Sequence, residues 1–180
     1  SSNRESLASR SAVHTVTGIF PDVIGAQVAI IGVPEYRGAA SNREFASGLS
    51  AIREKLYRLN RHANPVKLVD LGDLIPGSSL QDTYSVLENI VFDLCVKKVI
   101  PLIIGGSQDL TLAHYNAYKR MEKVINITGI DSRFDLGLPE DELSSLTWLG
   151  KIVMQQPNYL FNFSNIGYQH APLILLLGYC

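Results

Sequence analysis

Two short stretches hold the residue types that could do chemistry. Asp131-Ser132-Arg133-Phe134-Asp135 sets two carboxylates four residues apart with a guanidinium midway between them. In extended backbone these three side chains share one side. Paired carboxylates suit a hard divalent cation, since oxygen ligands match its preference and offset its charge. The plainer reading is a solvated turn, where Asp is favoured for local hydrogen bonding. Arg133 works against the cation, because it can satisfy both carboxylates and cannot be deprotonated to become a ligand. At an effective dielectric of about 20, its charge roughly 4 Å away costs a divalent ion about 8 kcal/mol.

The second stretch is Gly105-Gly106-Ser107-Gln108-Asp109. Glycines at a strand-to-helix junction let backbone amides approach an anion, which makes Gly105, Gly106, Ser107 and Asp109 candidate ligand-binding residues. The stretch lacks the Lys-Ser/Thr of a P-loop and the third glycine of a dinucleotide fingerprint. A sharp turn followed by a Ser or Asp helix cap explains the same residues without a ligand. Gln108 can offer a metal one carbonyl oxygen, a poorer donor than imidazole or carboxylate.

Both stretches end apolar runs that read as strands. Ala26 to Val33, Val66 to Leu71, Val99 to Ile104, Val124 to Ile130, Tyr159 to Phe163 and Pro172 to Leu177 are strand-like, the first closing in Gly32-Val33-Pro34. Helical patterns separate them. Ser47 or Ser50 can cap a helix burying Ile52, Leu56 and Leu59 and exposing Arg53, Glu54, Lys55 and Arg58, with Asn64-Pro65 as its stop. Asp82 to Lys98 carries a stripe of Tyr84, Leu87, Ile90, Val91 and Leu94. Leu110 to Met121 follows, and a helix led by Pro139-Glu140-Asp141-Glu142 buries Leu143, Leu146, Leu149 and Ile152. Alternation of this kind predicts an α/β domain with a mostly parallel sheet between helices, with both polar stretches at the carboxyl ends of strands, where such sheets bind ligands.

Composition narrows the function. The chain has 180 residues, 46% apolar and 18% charged, with 16 basic and 17 acidic residues and a net charge of -1. Nothing in that balance points to nucleic acid. Residues 1–25 form a polar N-terminal segment without a signal-peptide core, and the apolar run Ala171 to Leu177 is too short to span a bilayer, so a cytoplasmic location away from the membrane is expected. Cys95 reads as a core residue, and Cys180 at the terminus builds no disulfide framework with it. His14, His62, His114 and His170 show no ligand spacing, and no nucleophile elbow is present. The run before Cys180 reads as a buried strand, so residues 26–180 are expected to be the N-terminal part of a longer domain.

Several segments together resemble the ureohydrolase family, which comprises arginase, agmatinase and formimidoylglutamase. Ile31-Gly32-Val33-Pro34 with Gly48 and Ile52-Arg53 is similar to its Gly-Val-Pro and Gly-Pro-x-x-Ile-Arg segments. Val69-Asp70-Leu71-Gly72-Asp73 resembles its Asp-x-Gly-Asp strand end, and Asn165-Ile166-Gly167 its later Ile-Gly segment. Ile103 to Asp109 and Ile130 to Asp135 stand where the family has Gly-Gly-Asp-His-Ser and Asp-Ala-His-x-Asp. The resemblance implies a three-layer α/β/α, arginase-like fold and a homo-oligomer. It also implies two manganese ions that activate a water against a guanidino or formimino carbon. The metal positions it implies are Gln108 for a histidine, Asp131 for an aspartate, Arg133 for a histidine and Asp135 for an aspartate. Ser107 replaces the motif's aspartate, with Asp109 one position past the lost histidine.

With both imidazoles gone, the leading expectation is a degenerate centre in which Arg133 bridges Asp131 and Asp135 and no metal is held. Such a protein would bind a small guanidino or formimino compound or a partner subunit. The alternative is an active, manganese-dependent amidinohydrolase of the formimidoylglutamase, agmatinase or arginase type. A phosphate or nucleotide binder using Gly105 and Gly106 is a third possibility.

Overall fold

A computed structural model describes residues 9–10, 22–39, 48–59 and 66–169. Six strands and four helices run in the order β1 (Ser9–Arg10), β2 (Val28–Gly32), α1 (Gly48–Leu56), β3 (Leu68–Asp73), α2 (Leu80–Val96), β4 (Ile100–Ile104), α3 (Leu110–Arg120), β5 (Ile125–Ile130), α4 (Trp148–Val153) and β6 (Leu160–Ile166). All pairings among the described residues are parallel: β1-β3-β2-β4 form one sheet, β5-β6 a second. The mostly parallel α/β arrangement expected from alternation is present, its described strands falling into two hydrogen-bonded groups. The expected strand Pro172 to Leu177, the helix stop at Asn64-Pro65, Cys180, His14, His62 and His170 lie outside them.

Alternation along β2 builds the layers. Ile30 faces Leu49 and Ile104, while Ala29, Ile31 and Val33 face Leu87, Val91 and Leu94 of α2 and Ala113 and Ala117 of α3. The four-stranded sheet is therefore covered by α1 on one side and by α2 and α3 on the other. The second sheet packs Ile125, Ile127, Leu160 and Phe163 against Trp148, Leu149 and Ile152 of α4 and Tyr115 of α3, so α3 serves both cores. No helix among the described residues is long and apolar enough to cross a membrane.

Helix α2 follows its pattern, buried through Tyr84, Leu87, Val91 and Leu94, and is closed by a capping box between Ser79 and Asp82. Two other helices depart from theirs. In α1 the buried residue is Leu49, whereas Ile52 and Leu59 are exposed. Arg53 turns inward to only 14% side-chain exposure, where it donates to Asp70 (Nε to Oδ2, 2.9 Å), Asp73 and the Gly72 carbonyl, and Tyr57 also donates to Asp70. The buried Asp70 carboxylate of β3 thus overrides the amphipathic pattern, since an unpaired buried charge costs more than an exposed Ile. The helix expected from Pro139 forms only at Trp148. Before it, Leu138 N–H donates to Asp141 Oδ2 (2.7 Å) and Ser144 N–H to Thr147 Oγ1 (2.8 Å), side-chain acceptors that compete with helical backbone bonding.

A buried polar cluster joins the loop beyond β2 to the loop between β3 and α2. Glu35, 1% exposed, accepts from Arg37 Nε (2.9 Å) and Thr83 Oγ1 (2.9 Å), and Arg37 also donates to the carbonyls of Gly77 and Ser78. The Arg37 hydrogen bonds hold the Glu35 carboxyl down at about 2, against the opposing effect of burial. A lowered carboxylate stabilises the fold above its ordinary range and loses that contribution as pH falls through the folded value. The stability difference between the protein and Glu35→Gln is therefore expected to be about 3 kcal/mol above pH 5 and to shrink from pH 4.5 towards pH 2, as read by urea denaturation across that range.

Candidate functional site

The site is built where β4 and β5 end. Gly105 and Gly106 take positive φ (87° and 77°), which a side chain would strain, and turn the chain off β4. A Cβ on Gly106 would press on the Val33 and Glu35 carbonyls at 2.9 and 3.0 Å, and Ser107 N–H donates to Glu35 O at 3.0 Å. An anion approaching here would meet carbonyl oxygens, and the Ser107 amide is committed to one of them. The turn reading is favoured over the phosphate cradle, but neither Ser107 nor Asp109 caps α3 with its side chain. Asp109 is fully buried instead: one oxygen accepts from the Tyr84 hydroxyl, and Oδ1 has no hydrogen-bond partner among the described residues.

This turn delivers Gln108 to the end of β5. The residues after Ile130 leave the sheet in a series of bends rather than extending, yet Asp131 and Asp135 still converge. In the amide orientation assigned from the hydrogen-bond network, Gln108 Nε2 donates to Asp131 Oδ2 at 3.1 Å and to Asp135 Oδ2 at 3.2 Å. A primary amide carries two N–H donors, so each carboxylate receives one. Arg133 does not take the bridging place expected of it. Its side chain is 64% exposed and reaches only Asp135, Nε to Oδ1 at 3.5 Å, while its backbone N–H donates to Asp131 at 3.2 Å.

The two aspartates occupy different surroundings. Asp135 is 2% exposed; Trp148 Nε1 donates to its Oδ2 at 3.0 Å, and its backbone carbonyl accepts from Leu149 N–H at 3.1 Å. Burial pushes its carboxyl up, the Trp148 bond pulls it back without cancelling that, and the charge of Asp131 adds to the rise. At Asp131 burial is outweighed by hydrogen bonds from the Arg133 and Ser132 backbones and from Gln108, which hold its carboxyl below the ordinary range. A carboxylate pair pushed apart in this way is a common feature of reactive sites.

Sequence reasoning singled out Gln108, Asp131, Arg133 and Asp135, and the structure brings them together. It missed Trp148 and Asn165, whose Nδ2 donates to Arg133 O at 3.0 Å, because each acts on a residue far away in the chain. His114 does not join the site. It is largely buried in α3, stacked on Tyr118 with ring centroids 5.5 Å apart.

A profile of the arginase family matches residues 26–168. A search among curated proteins found no significant match. Among solved structures, the chain is similar to Trypanosoma cruzi formiminoglutamase with Mn2+, at 28% identity over 72% of this chain and 48% of that one, with a TM-score of 0.63. An arginase from Medicago truncatula matches at 17% identity, covering 82% of this chain and 52% of that one, with a TM-score of 0.67. A hypothetical agmatinase from Burkholderia thailandensis matches at 18% identity over 97% and 62%, with a TM-score of 0.71. The last two likenesses establish the fold, three-layer α/β/α. The chain spans about half the length of the first structures it matches.

Manganese in a paired site needs several oxygen and imidazole donors turned to one point. Among the described residues no three His, Cys, Asp or Glu are grouped to hold a metal, and Gln108, in the orientation that satisfies both carboxylates, turns to them an amide nitrogen, which carries hydrogens and no free lone pair. The described residues do not fit a two-manganese centre. Trp148→Phe keeps the ring and removes the N–H from Asp135. It is expected to cost about 2 kcal/mol at pH 7. That loss should diminish as pH falls and Asp135 protonates, a trend that denaturation at pH 7 and pH 4 measures.

Proposed function

The chain belongs to the arginase family, and from that premise we propose that it is a member whose metal centre has been replaced by protein groups. It would bind a small guanidino or formimino compound and hydrolyse its C–N bond weakly or not at all. The observation that carries this reading is the Gln108 amide nitrogen lying 3.1 and 3.2 Å from the two carboxylates that would otherwise face a cation. Arg133 adds to it. A guanidinium beside Asp135 supplies positive charge where an imidazole would supply a lone pair. Manganese belongs to this proposal only through the alternative, since the donor set in hand offers a cation two carboxylates and one amide oxygen at most.

That alternative is an active amidinohydrolase with an altered manganese site. It is favoured by one observation, the convergence of Asp131 and Asp135 at the end of β5 in a chain 28% identical to a formiminoglutamase described with Mn2+. A cytoplasmic homo-oligomer, with residues 26–180 as the first part of one arginase-like domain, completes the proposal on the strength of the family resemblance.

Assay of the whole protein with manganese against N-formimino-L-glutamate, agmatine and L-arginine separates the two. The expected result is release of formamide or urea slower by roughly 100-fold or more than from a formimidoylglutamase assayed beside it. Turnover within tenfold of that enzyme would overturn the proposal. Gln108→His combined with Arg133→His is expected to gain manganese affinity that the unaltered protein lacks, read by titration calorimetry.

A further inference from the structure

We infer that Gln108, Asp131 and Asp135 form a structural clasp that does the mechanical work of a metal centre without a metal. The inference rests on the reading of this site given above, but it concerns folding rather than turnover. Gln108 follows β4 in the first sheet, and the aspartates follow β5 in the second. Among the described residues no strand pairing joins β4 to β5, and their carboxyl ends meet through another tie. The amide supplies it, with one N–H to each carboxylate.

The tie reaches further through Asp135. The Oδ2 that accepts from Gln108 also accepts from Trp148 Nε1, and the Asp135 carbonyl accepts from Leu149 N–H, so the start of α4 is drawn into the same knot. Behind Gln108, Asp109 is buried against Tyr84 of α2. One side chain thus stands between α2 and the β4 turn on one side and β5 and α4 on the other. Two carboxylates this close repel each other when nothing lies between them, and a neutral group with two donors relieves that repulsion without adding a charge to a half-buried site. A cation could do the same, which is why the two solutions exclude each other: the amide occupies the space and presents hydrogens to it.

Thermal unfolding of the full chain tests the clasp. In EDTA and in excess manganese the melting temperature is expected to be the same. Gln108→Ala leaves both carboxylates short of a donor and should lower it by about 4 °C in either condition. Should that variant fail to fold, Gln108→Glu supplies a second readout, since it removes both donors and adds a third carboxylate. Its melting temperature is expected to fall in EDTA and recover when manganese is added. A rise on adding manganese to the unaltered protein would overturn the clasp, as would an unchanged melting temperature for Gln108→Ala. Hydrolysis by a protein whose melting is indifferent to manganese would sink the functional reading and leave the clasp standing. Manganese-dependent melting without hydrolysis would do the reverse.

Discussion

A carboxylate shut away from water has to find donors, and Asp135 sets that demand for the region between the two sheets. At 2% exposure it accepts from Trp148 and from Gln108 and stands near Arg133. Each donor comes from a different piece of the chain: α4, the turn after β4, and the loop after β5 itself. Satisfying one buried charge therefore brings together elements that no strand ladder connects. Burial still dominates over these partners and keeps the carboxyl raised, so the arrangement is a balance between desolvation and pairing.

The same logic governs the ground beneath the site. Glu35 is almost fully enclosed, and its partner Arg37 spends its remaining donors on carbonyls at the entrance to α2. Thr83 and Tyr84, adjacent on α2, send one hydroxyl to Glu35 and the next to Asp109. The loops after β2 and β4 are thereby hung from one helical turn, and Gly106 of the second loop fits against the first because it has no side chain. Oδ1 of Asp109 is the one oxygen of this set without a partner among the described residues.

Much of this architecture was legible in the sequence. The apolar runs of β2, β4 and β5 and the stripe of α2 are where periodicity places them, since burial on a sheet or along a helix leaves a regular trace. The residues after Gly105 and after Ile130 could be read as the two halves of one site because carboxyl ends of parallel strands converge. What could not be read was partnership across the chain. Arg53 looks like a solvated helix residue until Asp70 and Asp73 are set beside it. Arg133 looks like a bridge because it is close in sequence, while the bridge is Gln108, whose reach across depends on how the Gly-Gly turn leaves β4. Trp148 carries no local mark of its role, and the side-chain bonds of Asp141 and Thr147 that delay α4 compete with a helical pattern that is present on paper.

Every strand pairing among the described residues is parallel, and this bears on how the chain acquires its shape. Among the described residues no tight hairpin is available to start a sheet, because parallel neighbours must be joined by a long crossover. β2 lies between β3 and β4, both of which follow it in the chain, so it has to wait for two helices and two strands to be made before its ladder is complete. Non-local pairing of this kind slows folding and prolongs the time in which strand edges stand open. Ile130 and Phe161, 82% and 80% exposed on the second sheet, are apolar side chains that such an open intermediate presents to its neighbours.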